Sequence, residues 1–270
     1  MLRTRKLLRL FFMSLVILLL ISGGSFADTS VLFIGNSYTY YNSMPQMFKA
    51  MAEHQHPEQS IEVEFVGGGG ATLKKHWEVG QALAEIQTGD WDYVVLQEQS
   101  SLGTNKLSDP RKWKQFFHYS RLFDEEIKKS GATTVFFMTW ARRDSREQQK
   151  HLTTAYETIA GQLGSRVAPV GLAWDRIRDQ EGINLYNKDG SHPSPMGSCL
   201  AALTLWGTIF NTAPQHMNGK LVGYEILRGG VLAEEKSILA DFPAAVIEVL
   251  EDAVAGVLEP PAPAVTGTGS

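Results

Sequence analysis

Val31-Leu32-Phe33-Ile34-Gly35-Asn36-Ser37 is the stretch on which the fold turns. An uninterrupted apolar run of this length fits a strand buried on both faces, the kind found in a parallel sheet covered by helices. Gly-Asn-Ser then breaks the run and marks a tight turn at the strand's carboxyl end. Outward from it, Met44, Met47, Phe48 and Met51 have helical spacing, with Pro45 acceptable in a first turn. Ile61–Val66 alternates apolar and acidic residues before four glycines, which predicts a strand nearer the sheet edge. Further strands are expected at Tyr93–Leu96, Thr133–Thr139 and Arg166–Val170; the second of these is β-branched or aromatic at every position but Met138. Helices are expected at Thr72–Ile86, Trp113–Ile127, Ser145–Leu163 and Met196–Phe210, the last opened by Pro193-Ser194-Pro195.

Strands alternating with helices imply right-handed crossovers. The expected class is α/β: a three-layer α/β/α sandwich with a five-stranded parallel sheet and ligands at the strands' carboxyl ends. Residues 211–255 hold one more helical stretch, near Ala244–Val257, read as decoration on the same domain. The folded domain is expected over residues 28–258. The Pro-, Gly- and Ala-rich residues 259–270 are expected to be a disordered tail.

The first 27 residues have the three-part order of a secretory signal. Arg3, Arg5, Lys6 and Arg9 precede an almost unbroken apolar run, Leu10–Ile21, and the segment ends in Ser25-Phe26-Ala27. The apolar run falls short of the ~20 residues that span a bilayer, so cleavage is expected, with no stable membrane insertion afterwards. The protein is then secreted or periplasmic. Losing four basic residues leaves it more acidic than the whole chain's formal charge of -4. Nothing in that balance supports a nucleic-acid partner. A single cysteine, Cys199, excludes a disulfide framework and a thiolate-built metal site, and is expected to be buried and inert.

Two motifs carry chemistry. Ser37, on the turn after the first strand, lies where a helix begins and where backbone N–H groups can face a developing oxyanion. Its plain alternative is an ordinary helix cap. Asp189-Gly190-Ser191-His192-Pro193 sets a carboxylate three residues before an imidazole in a turn stiffened by Gly and Pro. There Asp189 can fix the tautomer of His192 while the other ring nitrogen acts as a base. The plain alternative is a polar loop with an incidental His. His54 and His56 beside Pro57 read as solvated surface rather than metal ligands, and His76, His118 and His151 as helix-face residues. Trp77 and Trp140 are candidates for the cleft border.

Together the motifs resemble the SGNH, or GDSL-like, hydrolase superfamily over residues 30–210. Gly35-Asn36-Ser37 stands for its Gly-Asp-Ser block, with Asn in place of Asp. Asp189-x-x-His192 matches its last block. The resemblance implies the flavodoxin-like SGNH fold and a serine esterase with Ser37 as nucleophile, His192 as base and Asp189 as orienting acid, needing neither cofactor nor metal. It also implies oxyanion donors after strands two and three. After strand two, register favours Gly70, then Gly69. After strand three the family's Asn is missing, and Gln97 and Gln99 offer the amide instead. Gln97, nearer the rigid strand, is slightly favoured. With the N–H of Ser37, these make the expected oxyanion hole. The expected substrate is a small-molecule or glycan ester, such as a carbohydrate-borne O-acetyl group. Acyl transfer to a second alcohol would use the same residues. The reading from another class is a non-catalytic glycan- or surface-binding protein on the same fold.

Overall fold

The computed structural model describes residues 28–103, 109–227 and 229–258. The expected signal segment and tail lie outside them. Strands β1 (Thr29–Gly35), β2 (Ile61–Gly67), β3 (Tyr93–Leu96), β4 (Thr133–Phe137) and β5 (Arg166–Ala168) form one parallel sheet in the order β2-β1-β3-β4-β5. This is the flavodoxin-like order, whose switch point lies between β1 and β3. The helices are α1 (Ser37–Tyr40), α2 (Met44–Gln55), α3 (Leu73–Val79), α4 (Gln81–Thr88) and α5 (Pro110–Lys129). They continue with α6 (Gln149–Leu163), α7 (Val170–Ile177), α8 (Pro195–Phe210) and α9 (Ala244–Ala255).

Alternation along β1 divides the core into two layers. Val31 and Phe33 pack with α2, α7, α8 and α9 on one face. Leu32 and Ile34 pack with α3 to α6 on the other. All four are fully buried, as the apolar run requires. Strand β2 lies at the edge, with Ile61, Val63 and Val66 inward and Glu62 and Glu64 in water.

Local chemistry reshaped several of the expected elements. The helix expected over Thr72–Ile86 breaks at Gly80, whose φ of +83° ends α3 and starts α4 at a new angle. The fifth strand stops at Ala168 because Pro169 has no N–H for a ladder, and Val170 opens the unanticipated α7. Between α8 and α9 lies an antiparallel hairpin, β6 (Lys220–Ile226) and β7 (Leu232–Asp241), packed on α2. Its Glu234-Glu235-Lys236 run hides the strand period.

Candidate active site

The turn after β1 is clamped from several sides. Asn36 has extended backbone and caps α1, its Oδ1 accepting the Tyr38 N–H at 3.1 Å. Its Nδ2 donates to the Ala71 carbonyl at 2.9 Å, tying the turn to the glycine-rich loop after β2. A carboxylate could not make that second bond, which gives Asn at this position a physical reason. From below, the Gln97 Oε1 accepts the Asn36 N–H at 2.8 Å and the Thr39 hydroxyl at 3.0 Å. From the side, His76 Nε2 donates to the Gly35 carbonyl at 2.9 Å. His76 is therefore a buried pin, not a helix-face residue, and burial lowers its basicity. Ser37 sits above these contacts, beside the switch point.

The second segment is a narrow loop closed by the Tyr186–Pro193 bridge and the Asn187 N–H to His192 carbonyl bond. Within it, Asp189 Oδ1 accepts the N–H groups of Ser191 and His192, both at 2.9 Å. Its Oδ2 lies 2.5 Å from His192 Nδ1. A carboxylate at that distance calls for the proton on Nδ1, which leaves the Nε2 lone pair free. That atom is 2.9 Å from Ser37 Oγ. The His192 and Ser191 contacts together hold the Asp189 carboxyl down at about pKa 2.

An aromatic stack joins the two segments. Tyr38 lies flat on Trp140 at 4.6 Å, and Trp140 on Trp174 at 3.9 Å. The Trp140 indole donates to the Ser191 carbonyl at 3.0 Å, and the Tyr38 hydroxyl meets Ser191 Oγ at 2.6 Å. Tyr41 stacks on the His192 ring at 4.4 Å. Trp140, expected to border the cleft, is 1% exposed and supports the His192 loop from beneath. Trp77 packs edge-on against Phe123 in the core of the other layer. Sequence reading missed the supporting roles of Tyr38 and Tyr41, although their place just after Ser37 was the available signal.

The expected oxyanion donors separate. Ser37 opens α1, and its N–H has no acceptor among the described residues; neither has that of Gly70. Gly70 stands in the Gly68–Ala71 turn with φ +64°, a conformation that favours glycine. Gly69 sits beside it, near the Tyr40 hydroxyl. Gln97 does not fit the donor role. It is fully buried, its Oε1 holds the nucleophile turn, and its Nε2 donates to the Glu98 carbonyl at 2.6 Å. Gln99 is half-buried, and its Oε1 accepts from Ser101. Its Nε2 makes no bond to the described residues, so of the two amides it is the one free to donate.

Glu98 lies between them, 1% exposed, with Oε1 accepting the Leu73 and Gln99 N–H groups at 3.1 and 2.7 Å. Its Oε2 has no partner among the described residues. Burial pushes this carboxyl up to about 8. The folded state therefore holds its proton where the unfolded chain has lost it, so stability falls as pH rises from the ordinary carboxylate range to about 8, and then levels. Glu98→Gln keeps the acceptor and cannot ionise. Thermal unfolding should show the variant gaining on the wild type across that window, by up to about 1.4 kcal/mol per pH unit. Parallel curves would disprove it.

Among the described residues no three His, Cys, Asp or Glu side chains are grouped to hold a metal ion. His56 stacks on Phe210 at 4.4 Å and His54 is exposed. Cys199 is buried, its thiol pushed up to about 12.

The sheet order and layering are those of SGNH hydrolases. The structure is similar to that of a protein from Slackia heliotrinireducens described as a candidate SGNH hydrolase, with 27% identity and a TM-score of 0.55 over 67% of this chain and 99% of that one. It also resembles an acetyl-xylooligosaccharide esterase from Geobacillus stearothermophilus (15% identity, TM-score 0.54, covering 69% and 95%). The acetyl xylan esterase AlAXEase is similar as well (14%, 0.52, covering 67% and 99%). At the lower identities the likeness is one of fold. No protein-family model matches the chain, and no curated protein matches it in sequence.

Proposed function

We propose that this chain is an exported serine esterase of the SGNH type, acting on carboxylic esters and, among them, on O-acetyl groups carried by carbohydrate. The observation that carries the reading is the hydrogen-bonded array Ser37 Oγ–His192 Nε2 and His192 Nδ1–Asp189 Oδ2, at 2.9 and 2.5 Å. It stands at the carboxyl end of β1, beside backbone N–H groups of Ser37 and Gly70 that have no acceptor among the described residues. In this mechanism Ser37 attacks the ester carbonyl and passes its proton to His192, while Asp189 stabilises the imidazolium. The N–H groups of Ser37 and Gly70 and the Gln99 amide receive the oxyanion. Collapse breaks the bond to the leaving alcohol, which takes the His192 proton. Water then repeats the sequence on the acyl-enzyme. Asp189 stays ionised at every pH above about 2, so it remains available to orient the imidazole.

The carbohydrate preference is supported by the names of two structural neighbours, an acetyl xylan esterase and an acetyl-xylooligosaccharide esterase. Export is supported by the basic, apolar, small order of residues 1–27. A fluorophosphonate reporter tests the central step. One adduct per chain is expected, mapped by peptide mass to Ser37, together with hydrolysis of p-nitrophenyl acetate. A chain that binds acetylated oligosaccharide but neither labels nor hydrolyses would be a binding protein.

A further inference from the structure

The β6–β7 hairpin walls a cavity of about 340 Å³ whose facing side is Tyr40, at the end of α1, and Tyr41–Ser43 directly after it. Its size is at the lower end of the ~300–1,000 Å³ usual for small-molecule sites. Tyr41 belongs to both places. Its ring stacks on His192 at 4.4 Å and also lines the cavity, which therefore lies one side chain away from the imidazole.

The position has a chemical meaning. In ester cleavage the imidazole delivers its proton to the leaving oxygen, whereas the carbonyl oxygen turns toward the oxyanion donors. The group attached to the leaving oxygen therefore lies on the imidazole side. The walls suit a particular kind of group. The hydroxyls of Tyr40 and Tyr41 have no hydrogen-bond partner among the described residues, and exposed Glu225 adds a carboxylate that accepts from Ser237. Ile226, Ile238 and Leu239 supply the apolar side. A hydrocarbon tail would leave the phenols and the carboxylate unmatched, while a sugar ring can lay its C–H face on the apolar wall and give its hydroxyls to the polar one.

The cavity is also built rigidly. Ser43 Oγ accepts the Ile226 N–H at 2.8 Å, which fastens the hairpin to the nucleophile segment. Asn42 and Ser43 both hold positive φ, 53° and 57°, although neither is glycine. Such a backbone persists only where its surroundings over-determine it. Asn42 Nδ2 is bonded to the Pro193 carbonyl at 3.1 Å and to Ser198 Oγ at 2.9 Å, so the strained residue ties the cavity wall to the His192 loop.

We propose that this cavity is the leaving-group subsite and takes the sugar alcohol of an acylated carbohydrate; the inference rests on the esterase reading above. In the step it serves, the bond from Ser37 Oγ to the acyl carbon forms, the acyl–oxygen bond to the sugar breaks, and the His192 proton goes to the leaving sugar oxygen beside it, while the rest of the sugar extends past Tyr41 into the cavity.

The test compares the wild type with Ile238→Trp, which fills the cavity from an exposed position, and Glu225→Ala, which removes one polar contact. Substrates are glucose pentaacetate, vinyl acetate, whose leaving group is too small to reach the cavity, and vinyl octanoate. Ile238→Trp should lower kcat/KM on glucose pentaacetate by about tenfold or more and leave vinyl acetate within about twofold. Glu225→Ala should raise KM for the sugar ester only. Unchanged sugar-ester kinetics in both variants, or an equal loss on vinyl acetate, would overturn the subsite. A loss confined to vinyl octanoate would make the cavity an acyl pocket and overturn it as well. Failure of the esterase reading shows separately, as a wild type that hydrolyses no vinyl acetate, and it removes the subsite too.

Discussion

Ser37→Ala and His192→Ala should each lower kcat on p-nitrophenyl acetate by about 10⁴-fold or more, and the double variant should lose little beyond either single one. The reason is the shared proton. Ser37 Oγ has His192 Nε2 as its base, and without either partner no activated nucleophile forms. Asp189→Ala should cost less, because Asp189 orients the ring and takes no part in bond making. The same substitutions should leave the fold intact. Ser37 Oγ makes one side-chain bond, so its loss is worth about 1 kcal/mol in stability. Steady-state kinetics beside thermal unfolding checks both halves. Wild-type turnover in Ser37→Ala would end the assignment, and additive losses in the double variant would mean that the two residues do not act as a unit.

Gln99→Ala and Gln97→Ala should fail in opposite ways. Gln99 keeps a free amide at the mouth of β3, so its truncation should lower kcat by about 10²–10³-fold and change KM much less, the usual cost of one oxyanion donor. Gln97 is spent on architecture. Its removal leaves the Asn36 N–H and the Thr39 hydroxyl without their buried acceptor, at about 1–3 kcal/mol for each group left unpaired. At about 2–4 °C per kcal/mol for a chain of this size, a clear drop in Tm is expected. Gln97→Glu, which retains an acceptor oxygen, should recover part of it. A severe kcat loss at Gln97 with unchanged Tm, and none at Gln99, would reverse the two roles.

The contrast shows where sequence reading reaches its limit. Strand β1 was legible because complete burial of both faces demands an unbroken apolar run, and Val31–Ile34 is one. The alternation of Ile61–Glu64 identified an edge strand for a similar reason: Ile61 and Val63 meet the core while Glu62 and Glu64 on the other face stay in water. Ser37, Asp189 and His192 could be singled out because each sits in a short motif of turn residues; Ser37 itself is only 8% exposed. Gln97 and Gln99 could not be ranked. Two residues apart just past the end of β3, they differ only in how the chain turns after Leu96 and in which groups bond their oxygens. The hairpin β6–β7 was missed because its Glu234–Lys236 stretch is solvated and carries no period.

What the sequence by itself determined is the layered α/β class, the places of the five strands of the parallel sheet and the three residues of the array. These follow from local burial patterns and from turns whose conformations depend on neighbours in sequence. Only the tertiary structure decided what holds that array. Residues 155 positions apart meet at Ser37 and His192, and Trp140 reaches Ser191 across 51. Residues of the hairpin share a wall with Tyr41, and a buried Glu98 keeps its proton. Each of these depends on which groups the packed chain withdraws from water and brings within bonding distance, and local sequence carries no record of that.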